Sequence, residues 1–169
     1  EQLARSVRRA VDAGAESGMS PAGPAPLDDA ALQVICGIAD AAGVAAAMVL
    51  GASAVQIGTA YMCCPESTTT ALHRAVLQSP AARHTALTTL FTGRPARGIM
   101  NRLMRELGPL SPSAPAFPLA TGAIAPLRAR AESQGNTDFT PLWSGQNASQ
   151  CSNAPAAEVT CALARGLAR

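Results

Sequence analysis

Lysine is missing from this chain of 169 residues: all 13 basic side chains are arginine. That excludes a Schiff-base lysine and a P-loop lysine within it. Aromatic residues are scarce, at 3%, too few for a base-stacking platform. Thirteen basic against 11 acidic residues leave a net charge of +2, which requires neither nucleic acid nor a membrane surface. Only two histidines occur, His73 and His84. The five cysteines (Cys36, Cys63, Cys64, Cys151, Cys161) are odd in number and show no C-x-x-C spacing. A zinc site and a disulfide framework are therefore not expected, and reduced thiols in a cytoplasmic protein are. No apolar run approaches the roughly 18–20 residues of a membrane span, and no signal-peptide pattern is seen.

What is there begins with an amphipathic pattern at 2–14 (Leu3, Val7, Ala10, Val11), followed by a Gly/Pro-dense loop at 16–26. The chain opens inside that helical pattern without a methionine, so a longer protein is expected to precede it. Next, "LQVIC" (32–36) reads as a buried strand and the Ala-rich "GIADAAGVAAAMVLGA" (37–52) as a helix. "AVQI" (54–57) reads as a second strand. This is a βαβ unit with parallel strands, and the lack of alternation predicts strands covered on both faces. Helices are expected over 66–79, with Ala71, Leu72, Ala75 and Val76 inward, and over 82–93. An extended proline-rich segment is expected over 108–126, with helical stretches over 126–135 and 154–169.

Both strands of the βαβ unit end in small residues, Cys36-Gly37-Ile38-Ala39 and Gly58-Thr59-Ala60. Ligands of parallel α/β folds bind beyond the carboxyl ends of strands. Glycine lets backbone N–H groups approach phosphate oxygens, a helix starting near Ala39 adds a favourable field, and the Thr59 hydroxyl can donate. The same two glycines also suit plain strand-to-helix turns. Elsewhere His73 and His84 read as surface helix residues, and Cys63-Cys64 as buried. Glu66 reads as a cap or guide for the helix that follows it, and Trp143 as core or domain packing. Arg94, Arg97, Arg102 and Arg105 read as ties between a helical domain and the rest, through charge-assisted hydrogen bonds, with substrate contact as the alternative.

The stretch "VICGIADAAGVAAAMVLGASAVQIGTAYMCCPES", followed in order by "TGRPARGIMNRLMRE", "APAFPLATGAIAPLRA" and "DFTPLWSGQNA", resembles the nitronate monooxygenase (2-nitropropane dioxygenase) family over roughly residues 27–150. The resemblance implies an α/β fold: a partial TIM-type (β/α) barrel, C-terminal strands only, with an appended, mostly helical segment. Residues 1–80 would be the barrel part, 81–150 the helical, proline-rich accessory domain and 151–169 a helical tail. It implies FMN without metal, and a flavoprotein oxidoreductase that oxidises alkyl nitronates with O2. By matching position, Gly37, Gln56, Ile57, Gly58 and Thr59 would hold FMN, with Trp143, Gly145 and Gln146 on the flavin side.

Cys36 stands where the family has a glycine. Only "AESGMSPAGPAP" stands where the family has a further strand and a histidine-bearing loop. The family's catalytic histidine lies on a strand before a helix like 2–14, so no residue of this chain is expected to be catalytic. Two other readings stay open. One is an FMN-dependent enoyl-thioester or quinone reductase on the same barrel. The other is a non-catalytic remnant that folds with a partner chain, since a half barrel leaves strand edges open to self-association.

Overall fold

A computed structural model describes residues 32–35 and 37–167, with the side chains of 32–35 and Ser53 outside the description. The helix expected at 2–14 and the loop at 16–26 lie outside the described residues, as does Cys36. The chain divides into two compact units. One holds the residues up to Ile57 together with Thr160 onward, and the other runs from Gly58 to Val159.

In the first unit, β1 (Leu32–Ile35), α1 (Ala41–Val49) and β2 (Ala52–Gln56) form the expected parallel β-α-β arrangement. Gly37, with φ of 77°, makes the turn out of β1. The helix starts at Ala41, later than the sequence pattern indicated, because Asp40 adopts an extended backbone and caps it. Val44 and Ala47 form its buried face. The C-terminal 3₁₀ turn, Arg165–Leu167, packs on it so closely that a Cβ on Gly166 would collide with the Ala41 carbonyl oxygen. Full cover on both faces is not found for β2: Ala52 is buried, but Ala54 and Gln56 are exposed. The sheet here has two strands among the described residues.

The second unit opens with a 3₁₀ turn at Thr59–Tyr61, and α2 (Ala71–Leu77) follows, capped by the Thr70 side chain. The inward residues of α2 are His73 and Leu77, not the Ala71/Ala75 stripe, both of which are exposed. The helix expected over 82–93 is absent. Pro80–Arg83 is a 3₁₀ turn, and Thr85–Thr88 is β3, paired antiparallel with β4 (Ala96–Ile99). Threonine-rich sequence favours the pleated backbone, and the Gly93-Arg94-Pro95 turn folds it back. Trp143 adds a single antiparallel bridge to Gly98 on the far side of β4.

Then come α3 (Arg102–Leu107) and α4 (Leu119–Glu132). Helix α4 starts inside the stretch expected to be extended and runs through Pro126. The chain closes with α5 (Ala156–Ala164). Two apolar clusters hold this unit: Cys63, Leu77, Ala82, Ile99, Leu142 and Ala148 form one, and Leu90, Phe91, Leu103 and Met104 the other, with Trp143 packed against the second. Among the described residues no helix is long and apolar enough to cross a membrane.

Candidate functional site

The residues singled out by sequence fall in both units. Gly37, Gln56 and Ile57 belong to the first; Gly58, Thr59, Trp143, Gly145 and Gln146 belong to the second. In the first unit, the pairing of Ile35 with Gln56 sets the carboxyl ends of β1 and β2 side by side. There Asp40 Oδ1 accepts from the Gly43 N–H at 2.8 Å, so the chain's own carboxylate caps the first turn of α1.

The tip of the second unit is different. Gly58 has φ −115° and ψ −59°, and no side chain caps the short turn that follows it. A Cβ built on Gly58 would meet nothing within 4 Å. Among the described residues neither the backbone conformation nor a close neighbour calls for glycine here, and the space over the tip is open. That open space leaves room for a phosphate to approach the backbone N–H groups closely.

Beside it, Thr59 is fixed on three sides. Its hydroxyl oxygen accepts from the Gly145 N–H at 2.8 Å, and its carbonyl accepts from the Met62 N–H at 3.0 Å and the Cys151 thiol at 3.1 Å. Burial, with the neighbouring Cys63 and Cys64 thiols, pushes Cys151 up to about 12, which keeps it a protonated donor. Burial also raises Cys64.

Thus the structure joins two of the segments that sequence treated separately, Gly58-Thr59 and Trp143–Gln146. Trp143 stands edge-on to Phe91, with ring centroids 5.8 Å apart at 88°, and Gln146 is exposed. What holds Trp143 is a residue that the sequence reading assigned to the surface. His73 is buried, and its Nε2–H donates to the Trp143 carbonyl at 3.0 Å. Burial lowers its pKa, with Arg128 adding to the effect against the opposing hydrogen bond, so the neutral imidazole is favoured. Its partner lies 70 residues away in sequence, a pairing that no local pattern announces. His84 is exposed, as expected, but lies between a 3₁₀ turn and β3, not on a helix.

The remaining assignments resolve locally. Arg74, passed over in the sequence, knits the loop after the tip by donating to the carbonyls of Cys63, Ser67 and Thr69 at 2.6–3.1 Å. Glu66 does not serve the helix that follows it; its carboxylate accepts from the Ala156 N–H at the start of α5, at 3.0 and 3.1 Å. The arginines act within the second unit. Arg94 lies over the Phe117 ring, Arg97 reaches Thr85, Arg102 pairs with Glu106, and Arg105 reaches the Met100 carbonyl. Cys63 and Cys64 are buried, and the cysteines among the described residues are free thiols.

Residues 27–165 match the family model described as nitronate monooxygenase. The chain is 43% identical over 132 residues to a nitronate monooxygenase of Pseudomonas aeruginosa, an alignment covering 78% of this chain and 38% of that relative. Among solved structures it resembles the nitroalkane oxidase of Streptomyces ansochromogenes, with TM-score 0.72 and 36% identity over 80% of this chain and 38% of that one. It also resembles FabK from Thermotoga maritima, with TM-score 0.62 and 26% identity over 79% of this chain and 43% of that one. The chain therefore spans well under half the length of these relatives, yet the matching region takes in the βαβ unit, the Gly58-Thr59 tip and the Trp143 segment together: the chain belongs to the nitronate monooxygenase family.

Proposed function

We propose that this chain supplies the phosphate-holding part of an FMN site in a TIM-type (β/α) barrel that oxidises alkyl nitronates with O2. The observations that carry this reading are the open, uncapped tip at Gly58, directly after β2, and the Thr59 hydroxyl held beside it by the Gly145 N–H. Gly58 and Thr59 would face the phosphate with backbone N–H groups and one hydroxyl, and Gln56 and Ile57 would lead the strand into it. Gly37 is proposed as a further FMN-holding residue from its matching position in the family. Trp143, Gly145 and Gln146 would lie towards the flavin. Bound there, FMN would supply the redox chemistry that this chain's own side chains lack.

The chain's work is binding and orientation. Thr59 is rigid because three partners hold it, so its donor is aimed before an anion arrives. Neither histidine is assigned as the base that abstracts a proton from substrate. The described hydrogen bond of His73 Nε2 goes to a backbone carbonyl, and His84 lies exposed before β3.

The test is flavin fluorescence quenching by the purified chain, with FMN, with riboflavin (which lacks the phosphate), and with a Gly58→Asp variant. FMN is expected to be quenched, riboflavin far less, and the variant not at all, because a carboxylate enters the space of the phosphate. Equal binding of FMN and riboflavin, or no effect of Gly58→Asp, overturns the assignment of the tip.

A further inference from the structure

Residues 142–145 run as an extended segment whose polar backbone groups alternate in direction. On one side Ile99 N–H donates to the Leu142 carbonyl at 2.8 Å and Ser144 N–H donates to the Arg97 carbonyl at 3.1 Å, flanking the Gly98–Trp143 bridge to β4. On the other side lie the Trp143 carbonyl and the Gly145 N–H. A neighbouring strand would pair both, but here two side chains do so. The His73 ring N–H stands in for a strand N–H at 3.0 Å, and the Thr59 hydroxyl oxygen stands in for a strand carbonyl at 2.8 Å.

We propose that His73 and Thr59 are positioning residues that together replace a missing strand along Trp143–Gly145, and that this pairing sets the direction of the Thr59 hydroxyl proton. A hydroxyl oxygen that accepts from Gly145 N–H keeps its own proton off that line. The proton is left to donate to an acceptor at the Gly58 tip, so an anion bound there and the Trp143 segment share one oxygen atom. Occupancy of the tip then tightens the hold on Gly145, since a hydroxyl that donates becomes a better acceptor. The role of this coupling towards a cofactor rests on the phosphate reading above; the two-point hold on Trp143–Gly145 does not.

Hydrogen exchange of the Gly145 amide, read by NMR on the whole chain, separates the two. Thr59→Val is expected to speed that exchange about tenfold, while Thr59→Ser leaves it near wild type. His73→Leu is expected to free the Trp143 carbonyl and raise acrylamide quenching of Trp143, the one tryptophan in the sequence. His73→Gln, which keeps a donor at similar reach, restores it. An unchanged Gly145 rate in Thr59→Val, or His73→Leu and His73→Gln behaving alike while both stay folded, overturns the hold.

FMN is then added. It is expected to slow Gly145 exchange in the wild type and to bind about tenfold more weakly to Thr59→Val than to Thr59→Ser. FMN binding without either effect overturns the coupling. Failure of the wild type to bind FMN overturns the phosphate reading, and the apo exchange rates still decide the hold.

Discussion

The turn that leaves β1 and the turn that leaves β2 look alike in sequence, each a short apolar strand running into glycine. They are built for opposite ends. After β1, Gly37 sits at φ 77°, where a side chain is strained. The helix that follows is closed by the chain's own carboxylate, Asp40 bonding Gly43 N–H at 2.8 Å. After β2, Gly58 sits at φ −115°, with no side-chain cap and nothing within 4 Å of a Cβ. The first glycine answers to the backbone of this chain. The second is not called for by its φ or by a close neighbour among the described residues, and the phosphate proposed above would give it a reason. A glycine motif therefore becomes an argument about ligands only once conformation and packing have been checked as causes.

Substitution by alanine should split the two most sharply. Gly37→Ala places a Cβ in the left-handed region and is expected to destabilise the chain by about 1–2 kcal/mol, read as a fall in the urea midpoint followed by far-UV circular dichroism. An unchanged midpoint would mean that the turn is not tied to that conformation, and the contrast between the two glycines would lose its first half.

The sequence carried the βαβ unit well because its information is local. Apolar runs at 32–36 and 54–57, an Ala-rich stretch between them, and glycines at the breaks were enough. Only the ends moved, since Asp40 caps one turn later than the pattern implied. The β3–β4 hairpin was missed because "HTALTTLFTG" has no period-2 alternation of apolar and polar residues, and its strand tendency lies in threonines. Helix α4 was cut short because its prolines read as breaks, although Pro126 lies within the helix. In the second unit, the contacts between the residues singled out by sequence were not legible. Thr59 meets Gly145 across 86 positions and His73 meets Trp143 across 70, and such pairs are products of tertiary packing alone.

Asp40 tests whether the first turn is closed by its cap. Asp40→Ala removes the acceptor for Gly43 N–H and should cost about 1 kcal/mol, whereas Asp40→Asn should cost only a few tenths, because asparagine caps nearly as well. Equal losses in the two variants would assign the effect to the charge and the helix field, and the cap geometry would then not be what closes this turn.

Gly58→Ala should have the smallest effect on stability, with the sign reversed. Its backbone lies where alanine is comfortable, and the new methyl meets no protein atom. Reducing the freedom of the unfolded chain should then leave stability unchanged or raise it by up to about 1 kcal/mol. The same methyl would stand in the space proposed for the phosphate, so FMN affinity should fall while the urea midpoint does not. A midpoint that falls as far as that of Gly37→Ala would show that the fold itself needs this glycine, and the tip would be a turn like the one after β1. A midpoint held or raised, with binding weakened, would mean that this position gives up stability for a ligand, the local conflict with the fold expected where a chain is shaped by function.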